Sequence, residues 1–360
     1  SPLQRTRPLC FRPHRDHGMR RPMTSAFASF IGNTDVVRRL SDYELQGMGA
    51  HAYLLIGPEH VGKRTIALQF ATLATCPNVQ DGDACGTCQS CGASARNAHP
   101  DIHVIERRDD KRSIVVEQAQ EVARIATIRP YQSAVKVIVI VEAQALEVRA
   151  ANLLLKTIEE PASDTRIVLT SSESDLVLPT IRSRCREIAF RAVRVQSIAD
   201  ALVQRGVAID DASLIARLSA GRPGWAIRAS NDPSFLAVRA THLDMLASVL
   251  SQRKYARLPL VDGLEDPRNL ARTRETMANA FSTWIAWWRD VLVVRAGCSE
   301  FVAGIDRIDE VCGAAERLDV SAIVGAINRT GIAIAHLDDN VNPRLAAEGL
   351  VLDLPDFAPA

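Results

Sequence analysis

Residues 57 to 65 have the pattern of a phosphate-binding loop. They read Gly57-Pro58-Glu59-His60-Val61-Gly62-Lys63-Arg64-Thr65 and follow the spacing G-x-x-x-x-G-K. In such loops glycines, here Gly57 and Gly62, let backbone N–H groups face the phosphates, and a lysine, here Lys63, neutralises their charge. The next position is normally a Ser or Thr whose hydroxyl binds Mg²⁺, and Arg64 stands there instead. Thr65 is a poor substitute, because consecutive side chains on a helix point about 100° apart.

These residues predict a weak ATP or ADP site at Gly57, Gly62, Lys63 and Thr65, with a degenerate Mg²⁺ site. The alternative is that the loop serves only as a tight turn that packs a helix against a strand.

A second apolar run, Val137 to Val141, is the predicted strand whose end would carry the acidic residues needed for ATP hydrolysis. Such a strand should end in the acid that holds Mg²⁺, followed by the acid that activates the attacking water. Val141 stands in place of the first acid, and Glu142 is the remnant of the second. Phosphoryl transfer without its metal loses its main charge stabilisation, so we expect no ATP hydrolysis.

Four of the eight cysteines lie close together, in the spacing C-x8-C-x2-C-x2-C. They are Cys76, Cys85, Cys88 and Cys91. Four thiolates suit a tetrahedral Zn²⁺ and leave no open coordination position. We therefore predict a structural zinc site that stabilises a small polar insertion. The alternatives are disulfides or free thiols.

Short apolar runs alternate with helical patterns in the first half of the chain, which predicts a parallel sheet in an α/β phosphate-loop core. The predicted strands are Ala52 to Ile56, Ile102 to Ile105, Val135 to Val141, Ile167 to Thr170 and Glu187 to Phe190. After Phe190 only helical patterns follow. They predict a small helical lid and then an all-α C-terminal domain, in which Trp284, Trp287 and Trp288 have a spacing typical of core packing.

We therefore divide the chain into four parts. These are a disordered Arg-rich extension (1–22), a nucleotide-binding-like core (23–191) with the zinc insertion (76–91), a helical lid (192–232) and a helical C-terminal domain (233–360).

Composition excludes several classes of protein. With 43 Lys and Arg against 42 Asp and Glu, the net charge is +1, so the chain lacks the basic excess that direct binding to DNA usually requires. The longest apolar runs, Val137 to Val141 and Val291 to Val294, are too short to cross a membrane, and no membrane partner is expected. Clustered rather than paired cysteines favour a reducing cytoplasm.

From Phe27 to Leu354 the chain resembles the bacterial clamp-loader family of AAA+ proteins. The resemblance lies in His51 to Pro58 leading into the phosphate loop, in the four-cysteine insertion, in Asn152 to Pro161 and in Leu178 to Cys185. It implies that Arg184, in Ser183-Arg184-Cys185, is an arginine finger that acts in trans on ATP bound by the adjacent subunit. It also implies that the C-terminal domain joins a collar in a hetero-pentameric ring with gamma/tau and delta subunits. Contact with the sliding clamp and primed DNA would come through that assembled ring.

Three departures from the motor subunits of this family indicate its delta-prime branch, a stator that serves its neighbour's site. They are Arg64, Val141 and Gly224, which stands where the lid arginine that senses the γ-phosphate is expected, with Arg222 displaced by two positions. One alternative is an active gamma/tau-type ATPase with Glu142 as its base. Another is a zinc-containing protein that binds nucleic acid directly.

Overall fold

The computed structural model describes residues 30–47, 49–80, 82–108, 113–162, 164–266, 268–339 and 341–357. The predicted Arg-rich extension at 1–22 lies outside the described residues.

A five-stranded parallel sheet forms the first half of the chain, as predicted. Its strands are β1 (Ala52–Ile56), β2 (Ile102–Ile105), β3 (Lys136–Ile140), β4 (Thr165–Ser171) and β5 (Arg186–Ala189), in the order β2-β3-β4-β1-β5. Each predicted strand is present within two residues of its predicted ends. Because all the strands are parallel, the segments that follow β1, β3 and β4 meet at one edge of the sheet, where ligands bind in open α/β folds.

Helices cover both faces of the sheet. They are α1 (Thr34–Leu45), α2 (Lys63–Thr75), α3 (Gln89–Ala95), α4 (Val116–Thr127), α5 (Val148–Glu159) and α6 (Pro179–Arg182). Side chains alternate along each strand, so Tyr53 and Leu55 pack with α1 and α2 on one face. Ala52 and Leu54 pack with α4 and α5 on the other. Burial on both faces explains why these strands are continuous apolar runs.

Three further helices pack on the α2 side of the sheet. They are α7 (Val195–Gln204), α8 (Ile209–Leu218) and α9 (Pro223–Asn231). Ile198, Leu202 and Ile215 belong to the same buried cluster as Tyr53. This segment, the predicted lid, therefore shares its hydrophobic core with the sheet.

The rest of the described chain is helical, as predicted. It contains α10 (Phe235–Ser251), α11 (Leu270–Arg295), α12 (Ile308–Arg317), α13 (Val320–Asp338) and α14 (Pro343–Asp353), with 3-10 turns at Lys254–Leu264, Ser299–Phe301 and Ile305–Arg307. Trp284, Trp287 and Trp288 are buried in its core, which confirms the prediction for them. The guanidinium of buried Arg257 donates hydrogen bonds to the carbonyls of Val351 and Leu354, and so fastens the end of α14 to the Lys254–Leu264 turn.

Helix α13 contains a long, largely apolar segment that does not stand out in the sequence as an uninterrupted apolar run. Val320–Leu337 in α13 could cross a membrane by length and composition alone. Asn328 and Arg329 interrupt its apolar sequence, so the segment is not one continuous apolar run. Ile323 and Ala326 are buried in the core that α11 and α13 share, and 28% of the whole segment is buried.

Candidate functional site

The phosphate loop joins the carboxyl end of β1 to the start of α2. Gly62 precedes the first turn of α2 with a φ of 102°, a conformation that favours glycine, and an added Cβ there would lie 2.4 Å from the ring of Phe30. Gly57 lies against the segment after β5, since an added Cβ would come within 2.5 Å of the carbonyl oxygen of Phe190. The predicted glycines thus keep the loop tight.

Lys63 is turned back into the loop. Its Nζ donates hydrogen bonds to the carbonyl oxygens of Gly57, at 2.5 Å, and Pro58, at 2.8 Å. Burial lowers the pKa of this amine to about 8, and the nearby carboxylates of Glu59 and Glu142 oppose that effect. A phosphate that reached Lys63 would replace these carbonyls as the partner of its charge.

A cavity of about 510 Å³ lies in front of the loop. Of the predicted nucleotide-binding residues, Gly62, Lys63 and Thr65 line it, whereas Gly57 does not. Three cationic and three anionic side chains balance each other along its walls: Lys63, Arg64, Arg228, Glu59, Glu106 and Glu142. The cavity is therefore not strongly cationic, in contrast to what tight polyphosphate binding would favour.

Two ion pairs occupy the places where motor subunits are expected to hold Mg²⁺. Arg64 contacts Glu106 across a distance of 3.2 Å, and Arg107 contacts Glu142 across 3.0 Å. Val141 is buried in the core and offers no ligand. The carboxylate of Glu142, the predicted remnant of the catalytic base, is thus paired with an arginine, although 43% of its side chain stays exposed.

The backbone at Glu142 is left-handed, with a φ of 57°, which is uncommon for a residue with a side chain. Its N–H donates to Oγ1 of Thr170, the side chain near the end of neighbouring β4. This contact fixes Glu142 at the sheet edge.

The lid closes directly on the phosphate loop through Gly224. The N–H of Gly224 donates to the carbonyl oxygen of His60 at 2.8 Å, and an added Cβ would lie 2.7 Å from that same oxygen. No side chain, arginine included, fits at position 224 with the lid in this place. Arg222 is occupied locally, since its Nε donates to the carbonyl of Ser219.

Arg228 is the lid cation that does line the cavity. It lies four residues after Gly224 and therefore on the same face of α9. The four-residue spacing from Gly224 could have identified Arg228 from the sequence as a residue facing the cavity. Arg107 could not be identified that way, because its partner Glu142 lies 35 positions further along the chain.

The four predicted cysteines, which span the insertion from its first residue to its last, come together in one cluster. Their sulfur atoms all lie within 4.8 Å of one another, and Cys76 and Cys85 are separated by 3.7 Å. A tetrahedral zinc with bonds of about 2.3 Å would place its sulfur atoms about 3.8 Å apart. None of the four thiols is in a disulfide in this structure. The cluster can hold a metal ion.

The thiols of the cluster differ in acidity: burial raises the pKa of Cys76 and of Cys91, whereas the turn at Cys85 has the opposite effect. Gly86, at a φ of 72°, lets the chain reverse between Cys85 and Cys88. Backbone N–H groups of Thr87 and Cys88 lower the pKa of Cys85 to about 6. Cys88 caps α3, since its sulfur accepts the N–H of Cys91.

A buried hydrogen-bond chain ties this insertion to the core. The hydroxyl of Ser90 in α3 donates to the carbonyl oxygen of Thr75 at the end of α2. The Nδ1 atom of His99 accepts the N–H of Asp101, so Nε2 carries the proton and donates to Ser90 at 2.9 Å. The cysteine cluster is thereby held rigidly against the sheet.

Arg184 lies just after α6. It is on the α5 face of the sheet, whereas the lid packs on the opposite face. Ile181 is buried and Cys185 is half-buried in the cluster beneath α5, so the backbone at 184 is anchored while the arginine side chain points outward. Its Nε contacts Oε2 of Glu159 at 2.9 Å, and its Nη1 donates to the carbonyl oxygen of Thr180. One third of its side chain is exposed.

The neighbouring Arg182 has a different setting. Its Nη1 contacts Asp175 and its Nε contacts Glu187, at 2.9 and 3.0 Å. Two carboxylates thus bind Arg182, whereas Arg184 has one. Both arginines use Nε and Nη1 for their contacts, so they differ in the number of carboxylates that balance their charge rather than in the donors left over.

Comparisons with known proteins point to subunits of DNA polymerase III. Residues 32–194 match the sequence model described as DNA polymerase III, delta subunit. The chain is 39% identical over 136 residues to the DNA polymerase III subunit delta' of Pseudomonas aeruginosa, across 38% of this chain and 42% of that protein. It is 30% identical over 239 residues to the subunit delta' of Escherichia coli (strain K12), across 66% of this chain and 71% of that protein.

The chain is also similar to a DNA polymerase III subunit gamma/tau, that of Mycobacterium tuberculosis. The two are 33% identical over 205 residues, which cover 55% of this chain and 35% of that protein. The chain therefore spans less than half the length of the Pseudomonas and Mycobacterium relatives.

Proposed function

The chain belongs to the delta-prime family of DNA polymerase III subunits, and from this premise we propose that it is the stator of a cytoplasmic clamp loader. In this role it assembles with gamma/tau and delta subunits in a hetero-pentameric ring. The ring opens the sliding clamp and places it on primed DNA. This subunit meets the clamp and the DNA as part of the assembled complex.

One contrast carries the proposal: the chain's own site lacks the groups that would place Mg²⁺ for hydrolysis, while Arg184 is partly exposed at the surface. Arg64 and Glu106 pair at the metal position, Val141 is buried, and Gly224 admits no side chain. Arg184 is held at the surface through Nε and Nη1, and within the described residues its Nη2 makes no hydrogen bond. A subunit of this kind contributes to a neighbour's ATP site and hydrolyses no ATP itself.

The chemistry of the finger follows from the guanidinium group. Its planar fork of N–H donors fits two phosphate oxygens at once, and its charge does not depend on pH. In the ring Arg184 reaches the γ-phosphate of ATP bound to the adjacent motor subunit. There it stabilises the negative charge that shifts during phosphoryl transfer.

The other sites serve the framework of the subunit. Cys76, Cys85, Cys88 and Cys91 hold a structural Zn²⁺, which closes the insertion and has no open position for catalysis. The phosphate loop binds ATP or ADP weakly through Lys63. Residues 23–191 act as the core, 192–232 as the lid, and 233–360 as the collar domain that joins the ring.

Reconstitution tests this proposal. The chain is mixed with the motor and delta subunits of the same organism, and the mass of the complex and its clamp-stimulated, DNA-dependent ATPase rate are measured. We expect a pentamer that contains one copy of this chain. A mixture of the other subunits without this chain should not load the clamp. ATP hydrolysis by the chain alone, with no gain in loading on assembly, would favour the gamma/tau-type alternative.

A further inference from the structure

The carboxylate of Glu159 is the one acidic group that contacts Arg184 within the described part of the chain. We propose that Glu159 is a positioning residue that sets the orientation of the Arg184 guanidinium toward the neighbouring subunit. This inference rests on the trans role of Arg184 proposed above.

Both residues stand on fixed backbone. Glu159 is the last residue of α5 and follows Ile158, which is buried in the core. Arg184 lies in the turn after α6, where its N–H donates to the carbonyl oxygen of buried Ile181. The contact between the two side chains therefore joins two rigid elements.

The contact holds the guanidinium from one side. Glu159 accepts from Nε at 2.9 Å, and the carbonyl oxygen of Thr180 accepts from Nη1 at 3.0 Å. Within the described residues Nη2 makes no hydrogen bond. The side chain is thus oriented by its own chain while one nitrogen remains for an outside acceptor.

The position of Glu159 at the end of a helix favours its ion pair with Arg184. Glu159 lies at the C-terminal end of α5, where the helix dipole is negative and disfavours an anion. The arginine relieves that repulsion.

The exposure of the Arg184 and Glu159 side chains indicates a role in positioning rather than in stability. The side chains of Arg184 and Glu159 are 33% and 53% exposed, and pairs this open to water add little to stability. By contrast, a catalytic group that is misplaced by about 1 Å can lose on the order of 100-fold in rate. Loss of Glu159 should therefore affect the rate of the neighbour's reaction rather than the folding of this chain.

A double-mutant cycle in the reconstituted loader tests this inference. The variants are Glu159→Ala, Glu159→Gln, Arg184→Ala and the double variant Glu159→Ala with Arg184→Ala. The readouts are kcat and KM of the DNA-stimulated ATPase, with the mass of the complex as the check on assembly. The control is Glu121→Ala, which breaks another surface ion pair, that of Glu121 with Arg124 on α4.

We expect Glu159→Ala to lower kcat several-fold with KM for ATP and assembly unchanged. Glu159→Gln, which keeps an acceptor oxygen, should recover part of that loss, and the control should match the unaltered complex. The double variant should be no slower than Arg184→Ala alone, because Glu159 acts only through Arg184.

Three results would overturn the inference while leaving the trans role of Arg184 intact. They are an unchanged or higher kcat for Glu159→Ala, a loss in the double variant equal to the product of the single losses, and a matching loss in the control. If Arg184→Ala itself has no effect, the proposed function fails and the inference fails with it.

Discussion

The carboxylate of Glu142 lies 3.0 Å from the Nε atom of Arg107. In a motor subunit the acid at this position would activate the attacking water. Here it has an internal cation as its partner, and Val141 before it supplies no ligand for Mg²⁺.

We predict that the isolated chain shows no ATPase activity above background. Arg107→Ala should not restore activity, because it frees Glu142 without supplying a metal ligand. Phosphate release from purified protein measures this. A turnover near ~1 s⁻¹ that Lys63→Ala abolishes would contradict the account.

The second prediction concerns the metal. The reduced protein should contain about one Zn²⁺ per chain, because the four sulfur atoms already have the spacing of a tetrahedral site. Cys88→Ser should lose the metal and expose residues 76–91 to limited proteolysis. Cys298→Ser, which changes a thiol outside the cluster, is the matched control and should keep the metal. Elemental analysis that finds no zinc in the unaltered chain would refute the prediction.

The third prediction concerns the contact between lid and phosphate loop. Gly224→Ala should destabilise the protein by about 1–3 kcal/mol, because the new Cβ would lie 2.7 Å from the carbonyl oxygen of His60. Gly313→Ala is the control. It lies within α12 with no atom near the added Cβ, so it should stabilise by about 0.5–1 kcal/mol. Thermal unfolding of both variants provides the comparison, and equal shifts for the two would show that the lid is not held as described.

The fourth prediction follows from the amine of Lys63, whose pKa is lowered by burial to about 8. A triphosphate needs this amine in its charged form, so affinity should be highest below pH 8 and fall several-fold as pH rises through that value. Titration calorimetry with tripolyphosphate at pH 7 and pH 9.5 measures the change. Lys63→Arg, whose charge persists, should remove the dependence. Equal affinity at both pH values, or no binding at either, would contradict the prediction.

Much of this organisation could be predicted from the sequence. The five strands, the phosphate loop and the cysteine cluster follow local patterns of apolar residues, glycines and cysteines, and each is where the pattern placed it. The partly exposed position of Arg184 also follows, since apolar Ile181 before it predicts a buried anchor for the turn.

Other features depend on contacts between distant parts of the chain. The approach of Gly224 to His60 joins residues more than 160 positions apart, and the sequence showed only that an arginine was missing there. The pairing of Glu159 with Arg184 likewise requires α5 and α6 to be packed together. Local patterns carry no information about such distances.

The most direct test of the trans role is the Arg184→Ala variant in the reconstituted loader. Arg124→Ala, which removes an exposed arginine from α4, is the control that matches its change in charge. The measurement is the DNA-stimulated ATPase rate and the rate of clamp loading by complexes of verified mass.

We expect Arg184→Ala to assemble with its zinc and to lower both rates by about tenfold or more, since arginine fingers contribute on the order of 10³–10⁵ and several ATP sites share the ring. Arg184→Lys should not recover the rates, because an ammonium cannot reproduce the planar fork, and the control should match the unaltered complex. Unchanged rates in a correctly assembled Arg184→Ala complex would contradict the claim that this subunit completes its neighbour's site.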